Sequence, residues 1–373
     1  MSNPKTNVCP METKKYLLFA TLPYAYPILR PLQAEIRRRG GEAAWFLEPG
    51  CPDMLVAGER RLMSVGEVMA YNPIAVFSPV RYVPDFFPGI KVSVFHGYAN
   101  RKRFEAVDDH FTIRGCYDIY CSQGPSSTPT FRELERKHGY FRVYETGWPK
   151  ADLYCTPEMQ RLPRNERPVI LYTSTFSRGI TSAPLLVEEI RHLVEERPWE
   201  WIFMFHPLLD PAVSERYREI AATHDNVRYV GNTFDLEPLR QADVMLCDSS
   251  SIIIEFMLMD KPVVTFRNTH PGPFLLDVRE PQQVGPALER ALTRPDDLMG
   301  ELRKYAFYQE PHRDGRCAAR VIDAVDDFLG RGLGGLMRKP LHMLRTWTSR
   351  RRHTDAPRTS RHKQRATGAA QEP

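Results

Sequence analysis

An α/β protein built on two doubly wound parallel sheets is predicted by three observations. Short runs rich in Val, Ile, Tyr and Phe recur at intervals wide enough for a covering helix, which is the pattern of parallel sheets buried on both faces. The runs fall into two groups of five, separated by a polar stretch containing three prolines. At 373 residues, the chain has the length of about two domains.

The first group is KYLLFA, IAVFS, VSVFHG, DIYCS and VYETG; the second is VILYTST, WIFMFHP, VRYV, VMLCD and VVTF. Between them, the stretch after Tyr154 holds Pro157, Pro163 and Pro168, several charges and no apolar period, so it reads as a loop. The predicted organisation is a flexible N-terminus over 1–13, a front domain over 14–154, a linker over 155–168, a rear domain over 169–330 and a tail over 331–373.

Composition excludes several classes. Apolar residues make up 42% and charged residues 26% of the chain, an ordinary globular balance. The apolar stretch 16–29 is short and broken by Pro23 and Pro27, whereas a membrane span needs about 20 uninterrupted residues. The polar opening MSNPKTNVCPMET has no apolar core with a cleavage site, so no secretory signal is expected and a cytoplasmic location is. Seven cysteines without a CxxC pair predict reduced thiols and no zinc site. From residue 331 onward eleven Lys and Arg face only Asp355 and Glu372, so the total of +5 leaves the first 330 residues at −4. Nucleic acid is therefore not an expected partner of the body.

In doubly wound sheets ligands bind beyond the carboxyl ends of the strands, which directs attention to the residues after each run. After VMLC come Asp248, Ser249, Ser250 and Ser251, and then the helical SIIIEFMLM. Serines before a helix either cap it or, with the unpaired N–H groups of the helix mouth, seat a phosphate. Glu255, one turn further in, is either a solvated helix residue or a partner for a nucleotide ribose. His206-Pro207 follows WIFMF; the histidine is either a structural hydrogen-bonding residue or a ligand for a diphosphate oxygen. Thr175 and Arg178 lie in the loop after VILY, where an arginine fork suits phosphate as well as solvent. His96-Gly97 ends VSVF and faces the cleft from the opposite domain, where a general base would stand. The following Arg101, Lys102 and Arg103 are either an anionic-acceptor site or a solvated loop.

With these residues in place, the chain resembles the CDP-glycerol glycerophosphotransferase family from about Phe95 to Asp326. The resemblance is carried in order by His96-Gly97 with Lys102, Cys116-Tyr117-Asp118 with Ser122, Thr146-Gly147-Trp148-Pro149-Lys150-Ala151-Asp152, Thr175 with Arg178, His206-Pro207, Ala242-Asp243 through Asp248-Ser249-Ser250-Ser251, and Asp314-Gly315-Arg316 through Arg320. It implies a GT-B fold of two Rossmann-like domains and transfer of a glycerol-phosphate or related polyol-phosphate group from a CDP-activated donor to a hydroxyl of a cell-surface glycan or lipid-linked acceptor, with release of CMP. It further implies that His96 is the catalytic base, that Thr175, Arg178, His206, Ser249, Ser250 and Ser251 hold the donor, and that Glu255 meets its ribose. Neither a cofactor nor a metal is expected. The modest length predicts single addition rather than processive polymerisation. The alternative on the same fold is a GT-B glycosyltransferase or an enzyme like the UDP-GlcNAc 2-epimerases, using a sugar nucleotide; a non-catalytic nucleotide-binding module is a third.

The tail mixes Leu336, Met337, Leu341, Met343, Leu344 and Trp347 with basic residues. That mixture predicts a segment drawn to anionic lipid, hence peripheral attachment to the inner face of the cytoplasmic membrane, with a disordered end beyond His353.

Overall fold

The computed structural model describes residues 13–98, 109–161, 165–231, 235–332 and 334–340. Two parallel sheets carry the chain. The front sheet holds β1 (Lys15–Ala20), β2 (Glu42–Leu47), β3 (Arg60–Leu62), β4 (Ala75–Ser78), β5 (Ile90–Ser93), β6 (Ile119–Ser122) and β7 (Arg142–Glu145), in the order β3-β2-β1-β4-β5-β6-β7. The rear sheet holds β8 (Val169–Tyr172), β9 (Glu200–Phe203), β10 (Val227–Tyr229), β11 (Val244–Cys247), β12 (Val263–Phe266) and β13 (Leu276–Val278), in the order β10-β9-β8-β11-β12-β13. The strand order reverses between β1 and β4 and again between β8 and β11, and such reversals open the crevice in which these folds bind ligands.

All ten apolar runs form strands. Three further strands lie outside those runs: β2, whose sequence EAAWFL has no β-branched residue, and the three-residue edges β3 and β13. Propensity is silent at such short edges, and the neighbouring strand supplies the order instead.

Helices α1 (Ala25–Arg38), α2 (Val65–Tyr71), α3 (Thr128–His138) and α4 (Ala151–Tyr154) follow front strands. Helices α5 (Ala183–Glu196), α6 (Pro211–Thr223), α7 (Glu237–Gln241), α8 (Ile252–Met257), α9 (Val284–Leu292) and α10 (Asp296–Gln309) follow rear strands, and α11 (Cys317–Arg331) ends the folded body. One hydrophobic core is continuous across both halves, joining Leu18, Trp45 and Trp148 to Met204, Met245 and Phe256. Separate layers fill the outer face of each sheet.

The sequence division placed everything up to 330 in the rear domain, yet α11 packs back on the front one. Its apolar stripe Cys317, Val321, Ala324, Val325 and Phe328 is buried, a spacing of three and four that covers one face. Its polar flank reaches front residues through Lys14 to Asp326 at 2.7 Å, Arg39 to Asp323 at 2.7 Å and Tyr144 to Asp327 at 2.7 Å. Asp152, from the end of the front domain, accepts from the backbone N–H groups of Cys317 at 2.7 Å and Ala318 at 2.8 Å, satisfying orphan donors of the first helical turn. Two motifs 162 residues apart in the chain, around Asp152 and Asp314, thus meet at one joint.

The linker is docked as well. Gln160 donates to the carbonyls of Tyr154 at 2.7 Å and Leu258 at 3.0 Å, and Met159 joins the core. The tail begins later than its composition implied. Met337 donates its N–H to Gly139 O at 2.9 Å, Lys339 pairs with Asp118 at 2.6 Å, and Leu336 packs on the core. The expected flexible residues 1–12 and the expected lipid-facing residues 341–373 lie outside the described residues. No described helix is long and apolar enough to cross a membrane.

Candidate active site

The rear half of the site is organised by Asp248, the residue after β11. Its carboxylate is fully buried and accepts from Ser174 Oγ at 2.6 Å, Thr175 N at 3.1 Å, Ser182 N at 3.0 Å and Ser182 Oγ at 3.1 Å. β8 and β11 are adjacent at the strand-order reversal, so their two loops leave the sheet side by side and one carboxylate binds both. Burial pushes the Asp248 carboxyl up, and the hydrogen bonds from Ser174, Ser182 and Thr175 oppose that rise. The third wall is the loop after β12: Asn268 donates to Asp248 O at 2.7 Å, and Thr269 N donates to Ser249 Oγ at 3.0 Å.

Around this frame stand the sequence-predicted donor residues. Thr175 and Ser249 are buried, Ser250 and Ser251 are half-buried, and Arg178 is exposed in the loop after β8. Ser251 occupies the cap position of α8, but its side chain makes no capping hydrogen bond. The capping alternative therefore does not account for that hydroxyl. The helix is also shorter than SIIIEFMLM suggested, spanning only Ile252–Met257. His206 lies exposed after β9, its ring 4.3 Å from that of Phe176 in the β8 loop and tilted to it by 34°. Its Nδ1 accepts from Leu208 N at 3.1 Å, which leaves Nε2 to carry the ring proton as a donor.

Glu255, expected at a ribose, is engaged by the front half. Its Oε2 accepts from Lys150 Nζ at 2.6 Å and from the Tyr154 hydroxyl. The side chain turns toward the front half because Lys150 and Tyr154, at the start and end of α4, offer a cation and a buried donor there. Burial and the Glu255 charge together hold the Tyr154 hydroxyl well above the usual phenol range. Lys150 also lies 5.4 Å from the Trp148 ring, a cation–π position.

The front half is the loop after β5. His96 is exposed, whereas both neighbours are buried. Phe95 has φ 53, a left-handed backbone, and its ring is anchored on Phe131 at 5.0 Å and His110 at 4.7 Å. A non-glycine residue adopts that conformation only where packing over-determines it; here it turns the next side chain, His96, out to solvent. The Phe95 carbonyl accepts from the Trp148 indole at 3.2 Å, the Gly97 carbonyl accepts from Gln123 at 2.7 Å, and the Tyr98 hydroxyl donates to Glu310 at 3.2 Å. The His96 ring lies 5.7 Å from Tyr24. Across the cleft, a Cβ placed on Gly97 would stand 3.8 Å from Ser251 Oγ, so the histidine loop of the front half meets the serine loop of the rear half directly. Arg101, Lys102 and Arg103 lie outside the described residues.

Residues to which sequence reasoning gave no role do much of the organising: Ser174, Ser182 and Asn268 around Asp248, and Gln123, Trp148 and Glu310 around His96. Glu310 lies in the crossover from α10 to α11 and is wholly buried. Burial pushes its carboxyl up to about 8, against the hydrogen bonds from Trp148 N, His312 N and Tyr98. No local pattern distinguishes it from the other glutamates of the chain. Other motif residues prove to be structural. Asp118 accepts from Lys91 N at 2.7 Å and Asp243 from Val169 N at 2.8 Å, each tying the start of one strand to its neighbour. Among the described residues no group of three or more His, Cys, Asp or Glu is placed to hold a metal ion.

The two parallel sheets, the strand-order reversals and the cleft lined from both sides define a GT-B protein of two Rossmann-like domains. Residues 96–270 match the family model described as CDP-Glycerol:Poly(glycerophosphate) glycerophosphotransferase. That match, over a little less than half of the chain, supports an enzyme of the CDP-glycerol glycerophosphotransferase class. Among solved structures the chain is similar to the wall teichoic acid polymerase TagF, at TM-score 0.60 and 14% identity over 85% of this chain and 90% of that one. It is likewise similar to a putative UDP-N-acetylglucosamine 2-epimerase from Listeria monocytogenes, at TM-score 0.58 and 17% identity over 86% of this chain and 98% of that one. A third similar structure is the UDP-GlcNAc 2-epimerase from Neisseria meningitidis bound to UDP-GlcNAc, at TM-score 0.57 and 13% identity over 85% and 100%. Likeness at these identities speaks for the fold. No curated protein matches the chain by sequence.

Proposed function

We propose that the protein moves glycerol phosphate, or a related polyol phosphate, from a CDP-activated donor to a hydroxyl of a cell-surface glycan or lipid-linked acceptor and releases CMP. The observation that carries this reading is the approach of the His96 loop to the serine loop, with Gly97 and Ser251 in reach of van der Waals contact. It would place a base beside the serine hydroxyls of the rear half.

In this mechanism His96 takes the proton of the acceptor hydroxyl as its oxygen attacks the β-phosphorus of the donor. The P–O bond to the α-phosphate breaks, and CMP leaves with the bridging oxygen. Ser249, Ser250, Ser251, Thr175 and the N–H of His206 Nε2 would face the diphosphate, with Arg178 supplying positive charge. Glu255 has a different role from the one the resemblance implied: with Lys150 and Tyr154 it joins the two halves behind the donor. Arg101, Lys102 and Arg103 are proposed to meet an anionic acceptor. The reaction is proposed to need no metal or cofactor; unchanged turnover in excess EDTA is the expected result.

The location proposed is the inner face of the cytoplasmic membrane, with the basic residues after Pro340 drawn to anionic lipid. Lys339 is not among them, since Asp118 holds it. Removal of residues 341–373 should free the protein from anionic vesicles in a sedimentation assay.

The decisive experiment incubates the protein with CDP-glycerol, CDP-ribitol or UDP-GlcNAc, each with poly(glycerophosphate) oligomers as acceptor. CMP release from a CDP-polyol is expected. Release of UDP, or epimerised UDP-sugar with no CMP from either CDP-polyol, would favour the sugar-nucleotide alternative.

A further inference from the structure

The His96 loop is held from a distance by a residue of the opposite end of the chain. Glu310 Oε2 accepts from the Tyr98 hydroxyl at 3.2 Å and from Trp148 N at 2.8 Å, while Oε1 accepts from His312 N at 3.2 Å. Trp148 in turn donates its indole N–H to the carbonyl of Phe95 at 3.2 Å. Phe95 precedes His96 and Tyr98 follows it by two, so the carboxyl reaches one flank of the histidine directly, through the Tyr98 hydroxyl, and the other through Trp148. The packing leaves it little freedom: a Cβ on Gly147 would fall 2.6 Å from Glu310 Oε1 and 2.5 Å from Cys317 Sγ.

A wholly buried carboxyl costs free energy to desolvate. Natural chains retain such groups where a specific geometry depends on them. An apolar residue at 310 would fill the space but leave Trp148 N and the Tyr98 hydroxyl without their acceptor.

We propose that Glu310 is a positioning residue for His96: by holding Tyr98 and Trp148 together it sets the angle at which the imidazole enters the cleft, and it makes that angle depend on the crossover into α11. The proposal rests on the reading of His96 as the base. Donor binding, which belongs to the rear loops, is independent of it.

The test uses the full chain, CDP-glycerol as donor and poly(glycerophosphate) oligomers as acceptor, with donor affinity measured by calorimetry. Glu310→Gln keeps an oxygen acceptor for Tyr98 and Trp148 and is expected to retain kcat within about threefold, whereas Glu310→Leu should lower kcat about a hundredfold with the CDP-glycerol Kd within about twofold. Wild-type kcat in Glu310→Leu, an equal loss in the Gln variant, or a parallel loss of donor affinity would overturn the proposal. Should Glu310→Leu fail to fold, Tyr98→Phe removes a single bond. A drop in kcat of about tenfold at unchanged Kd is then expected, and an unchanged kcat refutes the idea. His96→Ala, assayed alongside, separates the two levels. An inactive His96→Ala with a fully active Glu310→Leu defeats only the positioning role, while a fully active His96→Ala defeats the base assignment on which it stands.

Discussion

Gly97 and Ser251 face each other across the cleft so closely that a methyl group on the glycine would sit 3.8 Å from the serine hydroxyl. The Gly97 backbone lies outside the left-handed region, so a side chain there strains nothing locally. A larger one, in Gly97→Leu, should occupy space meant for the donor. The expected outcome is a donor KM raised about tenfold, or about 1.4 kcal/mol, with a melting temperature close to wild type; an unchanged KM would mean that the donor passes elsewhere.

His96→Ala removes the only titratable side chain of its loop that is both described and exposed. A general base contributes typically 10²–10⁴-fold, and kcat for CMP release should fall by about that factor. Calorimetry with CDP-glycerol should give a nearly unaltered Kd, since the donor contacts proposed above come from the rear half.

Asp248 carries a structural burden that the serines beside it do not. Asp248→Ala removes the acceptor that Ser174 Oγ, Thr175 N and Ser182 N share; Ser174 Oγ keeps Thr181 Oγ1 and Ser182 N keeps Ser174 Oγ, so Thr175 N is the donor left unpaired. At about 1–3 kcal/mol for a buried group left unpaired, chemical denaturation should report a loss of that size. The double variant Ser249→Ala with Ser250→Ala should instead keep the fold and raise donor KM. If both variants lost stability alike, the division of labour between carboxylate and hydroxyls would be wrong.

Glu310 gives the pH dependence a definite sign. Its carboxyl ionises near 4.5 when unfolded and at about 8 when folded, so the stability it contributes is complete below about 4.5 and is lost as pH rises through 8. Tyr98, Asp152, Cys155 and Cys317 are titratable groups around it, and His312 faces it through its backbone N–H. Lys261, pushed down to about 7 by burial among the carbonyls of Leu239, Arg240 and Ala242, acts in the opposite sense: its contribution is present above about 10.5 and is lost as pH falls through 7. Comparison with Glu310→Gln isolates the first effect. Between pH 5 and 8 the melting temperature of the wild type should fall relative to the Gln variant, and a constant difference across that range would contradict the assignment.

The sheets were legible in the sequence because β-branched and aromatic residues cluster where strands are buried on both faces, as in VILY and VVTF. The strands β3 and β13 were not, because three residues such as RRL or LDV carry no period. For the site, the strand-end rule singled out His96, His206 and the serines because each follows an apolar run, and in the fold each stands beyond the carboxyl end of a strand. It could not assign Glu255, whose partners Lys150 and Tyr154 lie about a hundred residues away, and it passed over Glu310, whose role comes from burial that only the closed fold creates. The basic residues near the end misled in part: Lys339 looks like its neighbours by composition, and only the position of Asp118 separates it from them.

The return of α11 to the front domain has a mechanical consequence. The lobes are joined by two strands of polypeptide, one leaving through Tyr154 and one coming back through Glu310, and Asp152 clasps them together. Both crossings of the chain therefore lie side by side at one edge of the molecule, so a change in the angle of α11 would be felt at once where the first lobe hands over to the second.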